Sequence, residues 1–137
     1  MKLQKATRFA LYSVLECARD PKRPVSATEI AQKYEVSIHH LSKVLRELGR
    51  AGILEAARGV GGGYRFMGNP RRLALMDVIA LFEDISSRSG REPGTRTEVG
   101  RGLGVVLTEI DEIAKATFRS ITIDTMLKLV ERQKRAG

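Results

Sequence analysis

Residues 56–66 read AARGVGGGYRF, with four glycines and two arginines in eleven positions. A glycine-rich loop that cradles a phosphate for chemistry follows a strand and opens a helix, so that free N–H groups at the helix start face the anion. Here the glycines lead instead into Tyr64-Arg65-Phe66, which alternates like a strand, and the spacing is GxGGGY rather than GxGxxG. Residues 53–57 supply a strand on the near side and residues 64–67 its antiparallel partner. No paired acid and base and no activated nucleophile lies nearby, so a phosphate-binding enzyme is the weaker reading. A basic hairpin serves to carry its arginines, Arg58 and Arg65, to a partner.

The residues before the hairpin say which partner. Ser37 can cap a helix to about Arg50, in which Leu41, Val44, Leu45 and Leu48 fall at the spacing of one buried face. Gly52 ends it. Upstream, Ser26 with Glu29 three residues on has the form of a capping box and starts a helix to about Tyr34. Only Glu35-Val36 separates the two. An earlier helix, residues 5–19, presents Leu11, Val14, Leu15 and Ala18 and stops at Asp20-Pro21. Two helices joined by a tight turn and followed by a basic hairpin make a winged helix-turn-helix.

Charge points the same way. Twenty-four Lys and Arg against sixteen Asp and Glu give a net charge of +8. Residues 37–72 hold seven basic residues and two acids, Glu47 and Glu55, so five of the eight excess charges sit there. Such a patch fits a polyanion, held by phosphate contacts and counterion release. With Leu41, Val44, Leu45 and Leu48 turned inward, the outward positions of the helix are His39, His40, Ser42, Lys43, Arg46 and Arg50. The early ones can reach base edges, while Arg46 and Arg50 suit phosphate. Arg58, at the base of the hairpin loop, is the first choice for a minor-groove contact. Arg65 should point away from the core side of Tyr64 and Phe66. A metal on His39-His40 is disfavoured, because adjacent helical residues diverge and no cluster of further ligands joins them.

Downstream, a helix over 75–84 precedes a polar, Gly- and Pro-containing loop, read as mobile over 86–100. A long helix over 101–118 then carries Leu103, Val106, Ile110 and Ile113 as a coiled-coil-like seam, and 121–133 form a short last helix with a frayed tail. The expected architecture is therefore mainly α with a small β-hairpin. Residues 1–84 form the DNA-binding unit, 85–100 a loop, and 101–137 a dimerisation helix and C-terminal segment.

MKLQKATRFAL at the N-terminus, the stretch VSATEIAQKYEVSIHHLSKVLRELGRAGIL and RGVGGGY together resemble the Rrf-two (BadM/IscR-like) family of bacterial transcriptional regulators. The likeness runs on through LALMDVIALFE and FRSITIDTMLKL, nearly the whole chain. It implies a homodimer crossed through the long helix, binding an imperfect palindrome in promoter DNA, commonly as a repressor. By position it places His39, His40, Ser42 and Lys43 on the base-reading turn and Arg58 on the minor-groove arginine. A winged helix that binds nucleic acid without choosing a sequence is the alternative.

One departure stands out. Many members of that family hold an iron–sulfur cluster with three cysteines in the loop before the long helix; here residues 84–101 contain neither cysteine nor histidine. A thiolate cluster needs about four ligands, mostly cysteines, and the chain has one, Cys17. The expectation is a cluster-free member with no metal, answering to an unidentified small-molecule or protein effector. Cys17 itself reads as a small buried packer. No apolar run reaches the roughly 20 residues that span a bilayer, so a cytoplasmic protein is expected.

Overall fold

The computed structural model describes residues 2–59, 61–84 and 94–137. Its elements in order are α1 (Lys5–Arg19), α2 (Ala27–Tyr34), α3 (Ile38–Arg50), β1 (Leu54–Ala57), β2 (Gly63–Phe66), α4 (Leu75–Phe82), α5 (Glu98–Ser120) and α6 (Ile123–Ala136). The winged helix-turn-helix is present. Ala10, Val14 and Cys17 of α1 close with Ile30 of α2, Leu41, Leu45 and Leu48 of α3, and Val78 and Ile79 of α4 into one buried core. Each fully buried aliphatic side chain of this kind stabilises by about 1.5–3 kcal/mol.

Both helices of the motif start on a serine. Ser26 Oγ accepts from Glu29 N at 3.1 Å and Ser37 Oγ from His40 N at 3.4 Å. The expected reciprocal half of the first box is replaced: the Glu29 carboxylate forks to Arg23, at 2.9 and 3.2 Å. A guanidinium offers two charged donors where the backbone offers one neutral donor, and it wins. Between the helices Glu35 takes a left-handed conformation, φ 54°, and Val36 N closes on Ala31 O at 3.0 Å.

The hairpin pairs Leu54 with Phe66 and Ala57 with Gly63. A third segment joins it, since Val25 and Tyr64 exchange backbone hydrogen bonds at 2.8 and 2.9 Å. Gly63 is required there, because a Cβ would stand 2.6 Å from the Val25 carbonyl carbon and oxygen. Val25 and Ile30 are both buried and flank the Ser26 cap, the pattern of a hydrophobic staple.

The C-terminal third differs from expectation at its helix ends. α5 begins at Glu98, three residues early, because Thr97 caps it through Gly100 N at 3.0 Å. α6 spans 123–136 rather than 121–133, because Thr122 caps its start and Glu131 to Ala136 are all helix formers. Most of the loop read as mobile lies outside the described residues. Ile123 is fully buried in the α1–α4 core. Leu75 N donates to Ile121 O at 2.9 Å and Ile123 N to Leu73 O at 2.8 Å, so the chain entering α6 is zipped to the chain entering α4.

Candidate nucleic-acid interface

The outward positions of α3 differ in what engages them. His39, Lys43 and Arg46 are exposed. Ser42 is half-buried, and its hydroxyl donates to Ile38 O at 2.7 Å. That bond uses its one proton, so Ser42 meets a partner only as an acceptor. His40 is exposed as well, and its ring meets Phe9 of α1 edge-on, with ring centroids 5.3 Å apart. Arg50 is exposed but paired with Glu47 at 2.9 Å. A solvent-exposed pair of this sort is worth at most about 1 kcal/mol, so a phosphate can displace the carboxylate.

The wing separates its two arginines. Arg58 is exposed directly before Gly59, which adopts φ 102°, and Gly61 follows at φ 78°. These left-handed turns let the chain reverse beside Arg58 without steric cost. Arg65 lies back on the strand, exposed and opposite Glu55 in the register, while Phe66 on the other face is buried. A carboxylate facing it across the hairpin offsets its charge. Sequence reading put Arg65 on the correct face and had no means of seeing Glu55 as its neighbour.

Behind this surface, α1 and α2 are tied by a carboxylate that sequence reading did not single out. Glu16 of α1 accepts from Tyr34 Oη at 2.7 Å and pairs with Lys33 at 2.6 Å and Arg19 at 3.4 Å. Burial pushes its carboxyl up, but the bonds from Lys33 and Tyr34 and the charges of Lys33 and Arg19 outweigh this and hold it below the usual range. Tyr12 stacks on Tyr34 with centroids 4.5 Å apart. The turn that aims α3 is thus fastened to α1. Cys17, next in the chain, is fully buried, and its thiol is pushed up to about 12, chiefly by burial and then by Glu16 and Glu29. It is a packer with no thiolate at neutral pH.

A groove of about 340 Å³ runs between α1, α3 and the end of α4, lined by Ala6, His39, His40, Lys43, Val44, Glu47 and Phe82. Sequence reading named five of these residues, His39, His40 and Lys43 among them as binding candidates; Ala6 and Phe82 come from elements distant in the chain. Among the described residues no three His, Cys, Asp or Glu side chains gather as a metal site. None of the described helices is long and apolar enough to cross a membrane.

The predicted seam lies bare. α5 has no buried residue in the single chain, and Leu103, Val106, Ile110 and Ile113 are 56, 54, 51 and 59% exposed. Val99 and Leu107, which the sequence reading left out, extend the same face and are exposed as well.

The sequence profile of the Rrf2 family, described as an iron-dependent transcriptional regulator, matches residues 3–129. The chain is 50% identical over 135 residues to the HTH-type transcriptional regulator BadM of Rhodopseudomonas palustris, covering 98% of this chain and 86% of that one. It is 34% identical to the regulator NsrR of Shouchella clausii over 61% of this chain and 57% of that protein. Among solved structures, T. potens IscR superposes with a TM-score of 0.77 at 23% identity, covering 97% and 90% of the two chains. CymR, the global cysteine regulator of B. subtilis, does so with 0.72 at 25% identity over 94% and 98%. These relatives are regulators, not enzymes, which closes the phosphate-chemistry reading of the glycine loop. With the fold and this similarity together, the chain belongs to the Rrf2 family of DNA-binding transcriptional regulators.

Proposed function

We propose that the protein acts in the cytoplasm as a homodimeric repressor of an imperfect palindrome in promoter DNA. His39, Ser42, Lys43 and Arg46 face the bases and nearby phosphates, with His40 and Arg50 at the flanks. Arg58 enters the minor groove and Arg65 supports from the wing. The observation that carries the reading is α5: twenty-three residues with an apolar face and nothing buried in the single chain. Exposed apolar area on this scale marks an association surface, and a two-fold partner through Leu103, Val106, Ile110 and Ile113 covers it. Two reading heads related by that axis call for two half-sites in inverted order. The division into a reading unit, a loop and a dimerising segment follows the same logic. Repression rests on the likeness to family members.

The iron in the family description does not fit this chain. One cysteine, buried in α1 with its thiol near 12, cannot supply about four thiolate ligands, and no step of the proposed function passes through a cluster. The protein prepared without oxygen is expected to be colourless and to bind DNA without iron; visible absorption with stoichiometric iron and sulfide would refute this. The function itself is tested by sequencing the genomic fragments that the protein retains and competing them against random DNA at physiological salt. Retained sites with inverted half-sites, and preference over random DNA by about a thousandfold or more, are expected. Equal affinity for both would make it a non-specific winged helix.

A further inference from the structure

The start of α1 is capped by a residue from the end of α4. Ser26, Ser37, Thr97 and Thr122 each cap the helix they begin. Gln4, at the head of α1, makes no side-chain cap bond, and the first turn holds no acid. Lys2, Lys5 and Arg8 bring only positive charge to that end, where the helix dipole favours a negative one. Glu83, directly after α4, supplies it. Its Oε2 accepts from the backbone N–H of Gln4 at 3.1 Å and from the hydroxyl of Thr7. In a capping box, an acid at the third helical position reaches back to this same N–H. Here that position holds Thr7, fully buried, which grips a carboxylate borrowed from 76 residues away.

That contact has a short route to the reading helix. Ala6 lies in the turn that it ties down, and Phe9 stands two residues past Thr7. Phe9 meets the His40 ring edge-on, while Ala6 and Phe82, the neighbour of Glu83, line the groove with His39, His40 and Lys43. The backing of the first turns of α3 is therefore built from residues on either side of the Glu83 contact. A first turn that loses its cap frays, because its leading N–H groups have no partner within the helix. Fraying here loosens Ala6 and Phe9 and leaves the start of α3 without a fixed backing.

We infer that Glu83, held by Thr7, is a positioning residue for sequence reading: it touches no DNA and sets the pose of the first turns of α3 through α1. The inference rests on the DNA-binding reading and deepens it. Glu83 is an anion and repels phosphate, so its contribution comes through pose and not through attraction. Base edges must be met at hydrogen-bond distance, whereas phosphates attract cations across a Debye length. Loss of the link therefore lowers preference for the specific site and spares binding to random DNA.

The test is titration of Glu83→Ala, Glu83→Gln and Thr7→Val on a retained genomic site and on a random duplex at physiological salt. Glu83→Ala removes the acceptor; Glu83→Gln makes the same change of charge but keeps an acceptor oxygen. The alanine variant should lose roughly fivefold on the specific site and hold or gain on random DNA, and the glutamine variant should recover most of that loss. Thr7→Val keeps the shape without the hydroxyl and should reproduce the loss with no change of charge, so the test stays decisive if Glu83→Ala does not fold. The chain has two histidines, which give a readout free of DNA. In NMR spectra of the free protein, well below Tm, the His40 ring signals should shift in Glu83→Ala and Thr7→Val while those of His39 stay. A lower Tm with the His40 signals and the ratio of the two affinities both unchanged overturns the inference and leaves Glu83 a structural cap. An equal loss in the alanine and glutamine variants overturns it in favour of charge. Absence of preference in the parent protein would sink the functional reading and this inference with it.

Discussion

Lys43 and Arg58 differ in what they can discriminate. Lys43 is exposed in the second turn of α3, where a side chain can meet base-edge acceptors. Lys43→Ala should cost about 1–3 kcal/mol on a specific site and less on random DNA, read by titration of both duplexes. An equal loss on the two would remove it from the base readers. Arg58→Ala should hurt most on sites with A·T-rich flanks, where the minor groove is narrow. Glu16 makes a prediction of another kind. Its carboxyl is held below the ordinary carboxylate range in the folded chain, so the stabilisation is complete above the unfolded pKa of about 4.3 and fades as pH falls through the folded value. Glu16→Gln should lower stability by about 1 kcal/mol at pH 7, since Lys33 is half exposed and its charge partly screened. The gap between variant and parent in urea unfolding should narrow at pH 3. A gap of equal size at both pH values would show that the charge contributes nothing.

The turn between α2 and α3 carries a visible cost. Glu35 sits at φ 54°, a region where a Cβ is penalised by about 1–2 kcal/mol and glycine is not. Glu35→Gly should raise stability by about 0.5–1 kcal/mol, the strain relieved less the greater freedom of the unfolded glycine; a lower Tm would contradict it. Legibility varied among the elements for reasons of this local kind. Ser26 and Ser37 announced α2 and α3, because caps are written within three residues of where they act. The glycines at 59, 61 and 63 announced the wing for the same reason. The start of α5 was hidden: Thr97 caps it, but Gly100 just after and the polar stretch with Pro93 and Gly94 before it look like loop composition. Glu55 beside Arg65, Glu16 under Tyr34 and Glu83 under Thr7 were not legible at all. They join residues far apart in sequence, and only the folded register brings them together.

At the level of the assembled protein, Ile110 is the point on which the proposed dimer turns. It lies mid-way along α5, 51% exposed in the single chain, in the stripe proposed to face a second copy. Ile110→Glu would bury an unpaired charge there and should convert a dimer to a monomer in sedimentation velocity, with loss of the palindromic site. A profile unchanged from the parent would place the interface elsewhere. The two backbone hydrogen bonds that zip residues 121–123 to 73–75, with Ile123 buried beneath them, then acquire a mechanical meaning. They form a welded joint between the spar and the head it carries, in place of a swivel. In the proposed dimer the pair of heads behaves as a caliper of fixed gauge. Sliding one half-site along the duplex by about five base pairs turns it to the opposite side of the helix, and a caliper with welded arms cannot follow it round.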